Sequence, residues 1–319
     1  MFISFRLLFL QGYTFMSKTN RVLEECRLKM GIITRDENGW CSTQLRNAME
    51  KRNITPVCFN FPQLIARVKY NPAASVNETN IPKELSALIT RPIGRGSLEE
   101  IIFRMDLLHR LERLGILIIN SPLSIERSVD KYYALALLEE NGLPVPRTAV
   151  TENHREALKC FYELGGDVVV KPLFGSRGIG STRISDPEVA TRVFRTISFY
   201  HGVLYLQEFV PHGISDIRAF VVGDRVIASM RRVAGSWKTN VSLGAKPVAF
   251  QLSNELEELA VKTAKVIGCK VAGVDILEGP SGPLIIELNS QPGLRGLQSV
   301  AKGNIADEIV QLVLSEIKK

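Results

Sequence analysis

Val168-Val169-Val170-Lys171-Pro172-Leu173-Phe174-Gly175-Ser176-Arg177-Gly178-Ile179-Gly180 is the stretch on which the reading of this chain turns. Three consecutive valines make a buried strand. That strand ends on a lysine, and a loop with three glycines leads into a second short run at residues 181–184. Glycine lets a backbone turn sharply and brings its N–H groups close to a phosphate. In a P-loop the lysine follows the glycines and opens a helix, whereas here it precedes them and a strand follows. The order predicts a hairpin flap lying over phosphates, with Lys171 reaching in from its base. Taken alone, a glycine-rich hairpin is more often an ordinary mobile turn.

A second stretch, about a hundred residues on, supplies the acids. Val274-Asp275-Ile276 is followed by a Gly/Pro turn and then Leu284-Ile285-Ile286-Glu287-Leu288-Asn289. In a strand, Glu287 and Asn289 project to one face, and Ile286 and Leu288 to the other, into apolar packing. A hairpin at residues 279–282 brings Asp275 beside them. Two carboxylates and an amide are hard oxygen donors, suited to Mg²⁺ and poor for zinc. The alternative is solvated acids on an exposed sheet face.

Between these lie weaker pieces. Gln207-Glu208-Phe209-Val210 ends a strand with polar groups beside apolar ones, able to grip an adenine edge and face. Asp216 and Arg218 share a face of the next strand. Arg231-Arg232 leads into the polar turn Gly235-Ser236-Trp237-Lys238-Thr239-Asn240, which can meet anions.

Outward from this centre, residues 30–120 alternate strand and helix. Strands fall at 30–34, 56–61, 87–90 and 115–119, with a helix at 43–52. A second helix, running to about residue 114, opens on the capping box Ser97-Leu98-Glu99-Glu100. This is the pattern of a parallel sheet covered on both faces. No Gly-x-Gly-x-x-Gly follows the first strand, so a dinucleotide site there is unsupported. A helix at 128–141 stops at Gly142, Pro144 and Pro146. Beyond residue 167 come short β-branched runs, an amphipathic helix at 254–267 and a final helix at 305–317. The expected fold class is α/β and α+β, a doubly wound domain followed by two α+β units.

Bulk properties narrow the classes. At 319 residues, 45% hydrophobic and 23% charged, the chain suits two or three globular domains. Residues 2–10 resemble the apolar part of a signal peptide, but lack a basic stretch before them and a cleavage site after them. Residues 1–27 are read as a leader or misassigned start, with Met16 and Met30 as alternative starts. Elsewhere no run approaches the roughly 18–20 apolar residues that span a bilayer, so no membrane partner is expected. The five cysteines (Cys26, Cys41, Cys58, Cys160 and Cys269) are dispersed and never in a Cys-x-x-Cys pair, as in a reducing cytoplasm. The four histidines have no metal-ligand spacing, and no Gly-x-Ser-x-Gly elbow is present, so metallohydrolase and serine-hydrolase chemistry lose support. The net charge of +7 favours anionic ligands. Without a basic cluster interleaved with aromatics it does not point to nucleic acid.

The order of the motifs resembles the ATP-grasp superfamily, specifically its RimK-like ligases, from about residue 30 to the C-terminus. The motifs are the lysine before a glycine-rich flap, the Gln-Glu-Phe-Val hinge, Asp-x-Arg, Arg-Arg, Lys-Thr-Asn, and Asp…Glu-x-Asn ending in Asn289-Ser290-Gln291-Pro292-Gly293. With Arg91-Pro92-Ile93-Gly94-Arg95-Gly96-Ser97, the flap looks closest to the tetrahydromethanopterin:α-L-glutamate ligase subfamily. Val241-Ser242-Leu243-Gly244-Ala245 departs from a more basic Gly-Gly segment frequent in relatives. The resemblance implies an N-terminal Rossmann-like domain at 28–120, a central ATP-grasp subdomain at 121–206 and a C-terminal one at 207–319. It implies that Lys131, Lys171, Gln207, Glu208, Phe209, Val210, Asp216, Lys238 and Asn240 bind ATP. Asp275, Glu287 and Asn289 would hold one or two Mg²⁺ or Mn²⁺ ions, and Arg231 would face the transferred phosphate. The implied reaction is an ADP-forming ligation of L-glutamate to a carboxylate-bearing small molecule of tetrahydromethanopterin type, through an acyl phosphate. Other acceptors (a protein C-terminus, a deazaflavin coenzyme tail, an amino-group carrier protein) and a non-catalytic nucleotide-binding module are the rival readings. Self-association into a homo-oligomer is left open.

Overall fold

The computed structural model describes residues 27–175 and 178–318. Residues 1–26 of the expected leader, Cys26 among them, Ser176 and Arg177 of the flap, and Lys319 lie outside them. The first unit comprises β1 (Lys29–Ile33), α1 (Trp40–Glu50), β2 (Thr55–Phe59), a small antiparallel trio β3 (Leu64–Ala66), β4 (Ala74–Val76) and β5 (Thr79–Asn80), α2 (Ile81–Glu84), β6 (Ala87–Thr90), α3 (Leu98–Arg113) and β7 (Leu117–Ile119). Its sheet is parallel, in the order β2-β1-β6-β7. Alternate residues of β1 face opposite cores. Met30 and Ile32 pack with Leu45 and Met49 of α1, and Ile33 packs with Leu108 and Leu111 of α3. The expected capping box is present, with Ser97 accepting from the Glu100 N–H and Glu100 accepting from the Ser97 N–H.

The single helix expected at 128–141 is two, α4 (Pro122–Val129) and α5 (Lys131–Glu140). Asp130 breaks it: extended at φ −85° and ψ 104°, its carboxylate accepts from the Tyr133 N–H and caps α5. Lys131 is therefore the first residue of α5.

The central unit holds β8 (Thr148–Thr151), α6 (His154–Glu163), β9 (Val168–Lys171), β10 (Thr182–Ile184), α7 (Pro187–Phe199) and β11 (Leu204–Glu208) in an antiparallel sheet ordered β10-β9-β11-β8. Phe161 and Phe194, both fully buried, stack edge to face beneath it. Helices α6 and α7 occupy stretches to which the sequence pattern assigned no element. Strand β11 runs to Glu208, so the boundary expected between 206 and 207 falls inside a strand.

The third unit is a five-stranded antiparallel sheet, β14-β13-β12-β15-β16. Its strands are β12 (Ser215–Val222), β13 (Arg225–Val233), β14 (Lys246–Ala249), β15 (Val271–Gly279) and β16 (Gly282–Asn289), with helices α8 (Asn254–Ile267), α9 (Arg295–Gln298) and α10 (Ile305–Ile317). One sheet face, with Ile217, Ala219, Val274 and Leu288, packs on Ala260, Ala264 and Ile267 of α8. The other, with Phe220, Val222 and Val271, joins Ile309 and Val313 of α10 and the α1 side of the first unit in one core. That shared core fixes the third sheet against the doubly wound unit. Among the described residues no helix is long and apolar enough to cross a membrane. The four described cysteines are free.

Candidate active site

The polar residues of the site lie on the sheet face that continues into the shared core. Strand pairing places Asp216 opposite Arg232, Arg218 opposite Asp275, and Asp275 opposite Glu287. Five charged side chains thus form one patch across four strands. Arg218 donates through Nε and Nη2 to Asp275, with Nη2–Oδ2 at 2.7 Å. Arg232 donates to both oxygens of Asp216, Nε–Oδ1 at 2.6 Å, and lies 3.0 Å from Asp275 Oδ2. Asp216, Arg232 and Asp275 are at most 4% exposed, so removing one partner would strand a buried charge. Burial alone would raise the Asp275 carboxyl, but Arg218 and Arg232 outweigh it and hold it below the ordinary range. Glu287 behaves oppositely. Burial and the neighbouring Asp275 charge raise it, against the pull of Lys131, Lys171 and Arg218.

The hairpin β15–β16 carries a bulge. Asp275 pairs with Glu287 but Ile276 pairs with Ile285, leaving Ile286 as the extra residue. Ile286 consequently lines the cavity, not the apolar layer expected from strict alternation. Leu288 does point into that layer.

Facing this patch, β9 ends on Lys171, whose Nζ donates to Gln207 Oε1 at 2.5 Å. Gln207 Nε2 in turn donates to Thr148 Oγ1 at 3.0 Å and to the Tyr205 hydroxyl at 3.4 Å. Gln207 thus spans Lys171, Thr148 and Tyr205 and positions the lysine at the cavity wall. Burial pulls the Lys171 ammonium down to about 8, with Glu287 opposing and Lys131 adding to the fall. Burial also lowers Lys131, whose Nζ donates to the flap carbonyls of Gly175 at 2.9 Å and Leu173 at 3.3 Å. Lys131 therefore tethers the base of the flap to α5.

A cavity between the two sheets is lined by eleven of the thirteen site residues expected from the sequence. They are Lys131, Lys171 and Gln207; Glu208, Phe209 and Val210 of the hinge; Asp216, Lys238, Asn240, Asp275 and Glu287. Glu208 lines it with its carboxylate already engaged by Arg147, through N–H to Oε1 at 2.8 Å and Nε to Oε2 at 2.7 Å. Phe209 carries the Arg183 guanidinium 3.4 Å from its ring centre and meets Trp237 edge-on at 6.0 Å. His212 joins the hinge to the Trp237 loop, Nδ1 lying 2.7 Å from Val210 O and Nε2 3.0 Å from Trp237 O. The flap residue Gly178, at φ +69°, abuts the Asn240 side chain, so a Cβ there would collide with it.

Two expected residues do not line the cavity. Asn289 shares the Glu287 face of β16, across from Gly273, and its Nδ2 is buried without a partner. Arg231 is on the wrong face. One residue out of phase with Arg232, it points toward α8, pairs with Glu278 at 2.5 Å and lies 4.3 Å over the Phe250 ring. Arg232 is the cavity arginine that Arg231 was expected to be. Sequence reasoning also missed Arg147 and Arg183, whose partners are distant in the chain and leave no local trace, and His212, which bridges Val210 to the distant Trp237.

The residues fit a hard divalent cation. Asp275 and Glu287 are cross-strand partners, and Asn289, on the Glu287 face of the same strand, carries an amide oxygen of the hard type. A carboxylate has about four lone-pair sites, and three guanidinium N–H groups already address Asp275, leaving room for one more partner. Among the described residues no three His, Cys, Asp or Glu side chains gather as a metal nest. Phosphate oxygens and water would complete the shell, as Mg²⁺ prefers.

This construction is the ATP-grasp fold, in which two α+β sheets close on a nucleotide. Solved structures with the same fold include the ATP-grasp ligase PsnB complexed with minimal precursor, Mg and ADP (TM-score 0.71, 20% identity, covering 91% of this chain and 98% of that one). Another is a RimK domain ATP-grasp protein from Sphaerobacter thermophilus (TM-score 0.69, 20% identity, 90% and 99%). A model of the RimK-like ATP-grasp domain matches residues 128–313, and the chain belongs to that family. Tetrahydromethanopterin:α-L-glutamate ligase of Methanococcus maripaludis is 34% identical, the alignment covering 92% of this chain and 100% of the relative. The enzyme of that name from Methanocaldococcus jannaschii is 35% identical, over 91% and 100%. The protein is an ATP-dependent carboxylate–amine ligase.

Proposed function

We propose that the enzyme joins L-glutamate to a carboxylate of a tetrahydromethanopterin-type acceptor, releasing ADP and phosphate. The observation that carries the reaction class is the opposition of Lys131 and Lys171 to Asp275 and Glu287 across one cavity. The end-to-end similarity to ligases of that name supports the acceptor and the amino acid.

Adenine would lie against Phe209 and Val210, with Glu208 held aside by Arg147. Lys171, fixed by Gln207, meets the phosphates as a point charge. Lys238 and Asn240 face the same anion from the opposite wall. Arg232, clamped by Asp216 and Asp275, offers a guanidinium that costs no reorganisation when charge builds on the transferring phosphoryl group. Asp275, Glu287 and Asn289 would hold one or two Mg²⁺ or Mn²⁺ ions, which neutralise phosphate charge and align the γ-phosphoryl group. An acceptor carboxylate oxygen bonds to the γ-phosphorus as the bond to ADP breaks. The amine nitrogen then attacks the acyl carbon, phosphate leaves, and the amine gives up a proton. No protein nucleophile enters this sequence. The flap, tethered by Lys131 and resting on Asn240, excludes the water that would hydrolyse the acyl phosphate.

The test is purified protein with Mg-ATP, L-glutamate and candidate acceptors, read by nucleotide chromatography and product mass. ADP together with a glutamylated pterin is expected. ADP formed only with a peptide or deazaflavin acceptor would refute the pterin assignment.

A further inference from the structure

The parallel sheet has a switch point that the nucleotide site does not use. In the order β2-β1-β6-β7 the connections after β1 and β6 leave in opposite directions. Such sheets bind ligands in the crevice outside the carboxyl ends of those two strands. The two loops forming this crevice, residues 34–39 and 91–97, carry Arg35, Arg91 and Arg95.

These arginines have different duties. Arg91 is buried, and its Nη2 donates to Pro292 O at 2.9 Å. It therefore ties the crevice to the loop that follows the metal-ligand candidate Asn289. Arg104 is buried too. Its Nη1 donates to the carbonyls of Ile93 and Arg95, both at 3.0 Å, and Nη2 meets Glu100 at 3.2 Å. The 93–96 loop is thus braced from below. Gly94, at φ +87°, gives passage to the Arg35 side chain, whose Cδ would lie 2.9 Å from a Cβ there. Arg35 consequently lies across the loop that presents Arg95.

Both Arg35 and Arg95 are exposed, and neither pairs with an acid among the described residues. Of the nearby acids, Asp36 accepts from the Asn38 N–H and Glu100 caps α3 and meets Arg104, while Glu37 is exposed on the loop that carries Arg35. On the loop that Arg91 holds, the amide donor Gln291 Nε2 is buried without a partner. Two exposed guanidinium groups without acid partners, one from each loop of the crevice, suit an anion with two carboxylates.

We propose that the switch-point crevice is a dicarboxylate subsite in which Arg35 and Arg95 grip a short-chain diacid. This deepens the ligase reading and rests on it for which substrate brings the diacid. Both L-glutamate and an acceptor ending in carboxylates have that chemistry.

The experiment titrates the full chain, with Mg-ADP present, by glutarate and by butyrate in a calorimeter. Glutarate should bind at least about tenfold more tightly than butyrate, the worth of one charge-assisted pair. Arg35→Ala with Arg95→Ala should erase that preference and leave Mg-ADP affinity unchanged, while the double lysine variant keeps part of it. Equal binding of the two acids by the wild type, or a preference surviving in the double alanine variant, would overturn the proposal. In turnover, glutarate competing with L-glutamate assigns the crevice to the amine substrate, and glutarate competing with the acceptor assigns it to the acceptor. Competition with neither also overturns it. The titration needs no pterin, so its outcome is separate from that of the acceptor assignment.

Discussion

Raising the pH should release ATP by discharging one lysine. In the free enzyme, burial brings Lys171 down to about 8. Its folded value is depressed, so the charged form is the one the empty site disfavours, and charge is lost as pH rises through about 8. Phosphates need that charge. Between pH 7 and 9 the protonated fraction falls from about nine-tenths to about one-tenth, so apparent ATP affinity should drop about tenfold, or ~1.4 kcal/mol. The final ionisation of a phosphate, near ~6, is complete across this window and adds nothing. Lys171→Met should weaken binding at pH 7 by ~1.5–3 kcal/mol, the value of a hydrogen bond to a charged group. Its binding should then be flat from pH 7 to 9. Calorimetry with Mg-ATP in buffers of different ionisation enthalpy gives both affinity and the protons taken up. Parallel pH profiles for the wild type and Lys171→Met would refute the assignment of this lysine to the phosphates.

The two site carboxylates should respond oppositely to neutralisation. Asp275→Ala removes the shared partner of Arg218 and Arg232 and should destabilise the fold by ~3 kcal/mol or more in urea unfolding. Glu287→Gln should abolish Mg²⁺-dependent turnover yet raise stability at pH 7. The reason is that Glu287 has a raised folded value, so its contribution is lost as pH climbs from the unfolded value through the folded one. A less stable Glu287→Gln would contradict the burial argument. Arg232→Lys should lower kcat at least about a hundredfold by losing bidentate geometry. Arg231→Lys, altering a pair on the opposite face, should leave kcat within about twofold.

Legibility in the sequence followed the range of the interactions involved. Residues 87–90, 168–171, 254–267 and 305–317 form elements with the bounds their pattern indicates, because caps and periodicity are local. Helix α7 was hidden by its β-branched residues Val189, Thr191, Val193, Thr196 and Ile197. Asp186, accepting from the Glu188 and Val189 N–H groups, Pro187 in the first turn, and the burial of Ala190 and Phe194 make it a helix. The site's composition was legible because lysine, hinge, acids and amide recur in order along the chain. Choosing between Arg231 and Arg232 was not, since a one-residue offset in register exchanges the faces of a strand. The bulge at Ile286 and the Gln207–Lys171 and Arg147–Glu208 contacts exist only once distant strands meet.

The central claim is that phosphate passes from ATP to the acceptor carboxylate, and oxygen labelling tests it directly. Acceptor carrying ¹⁸O in both carboxylate oxygens should be converted with Mg-ATP and L-glutamate, and the phosphorus products examined by ³¹P NMR and mass spectrometry. An acyl phosphate retains one carboxylate oxygen on phosphorus when the amine displaces it, so ¹⁸O should appear in inorganic phosphate, one atom per amide formed, with ADP unlabelled. Label in AMP, or amide formed with no label in phosphate, would contradict the account.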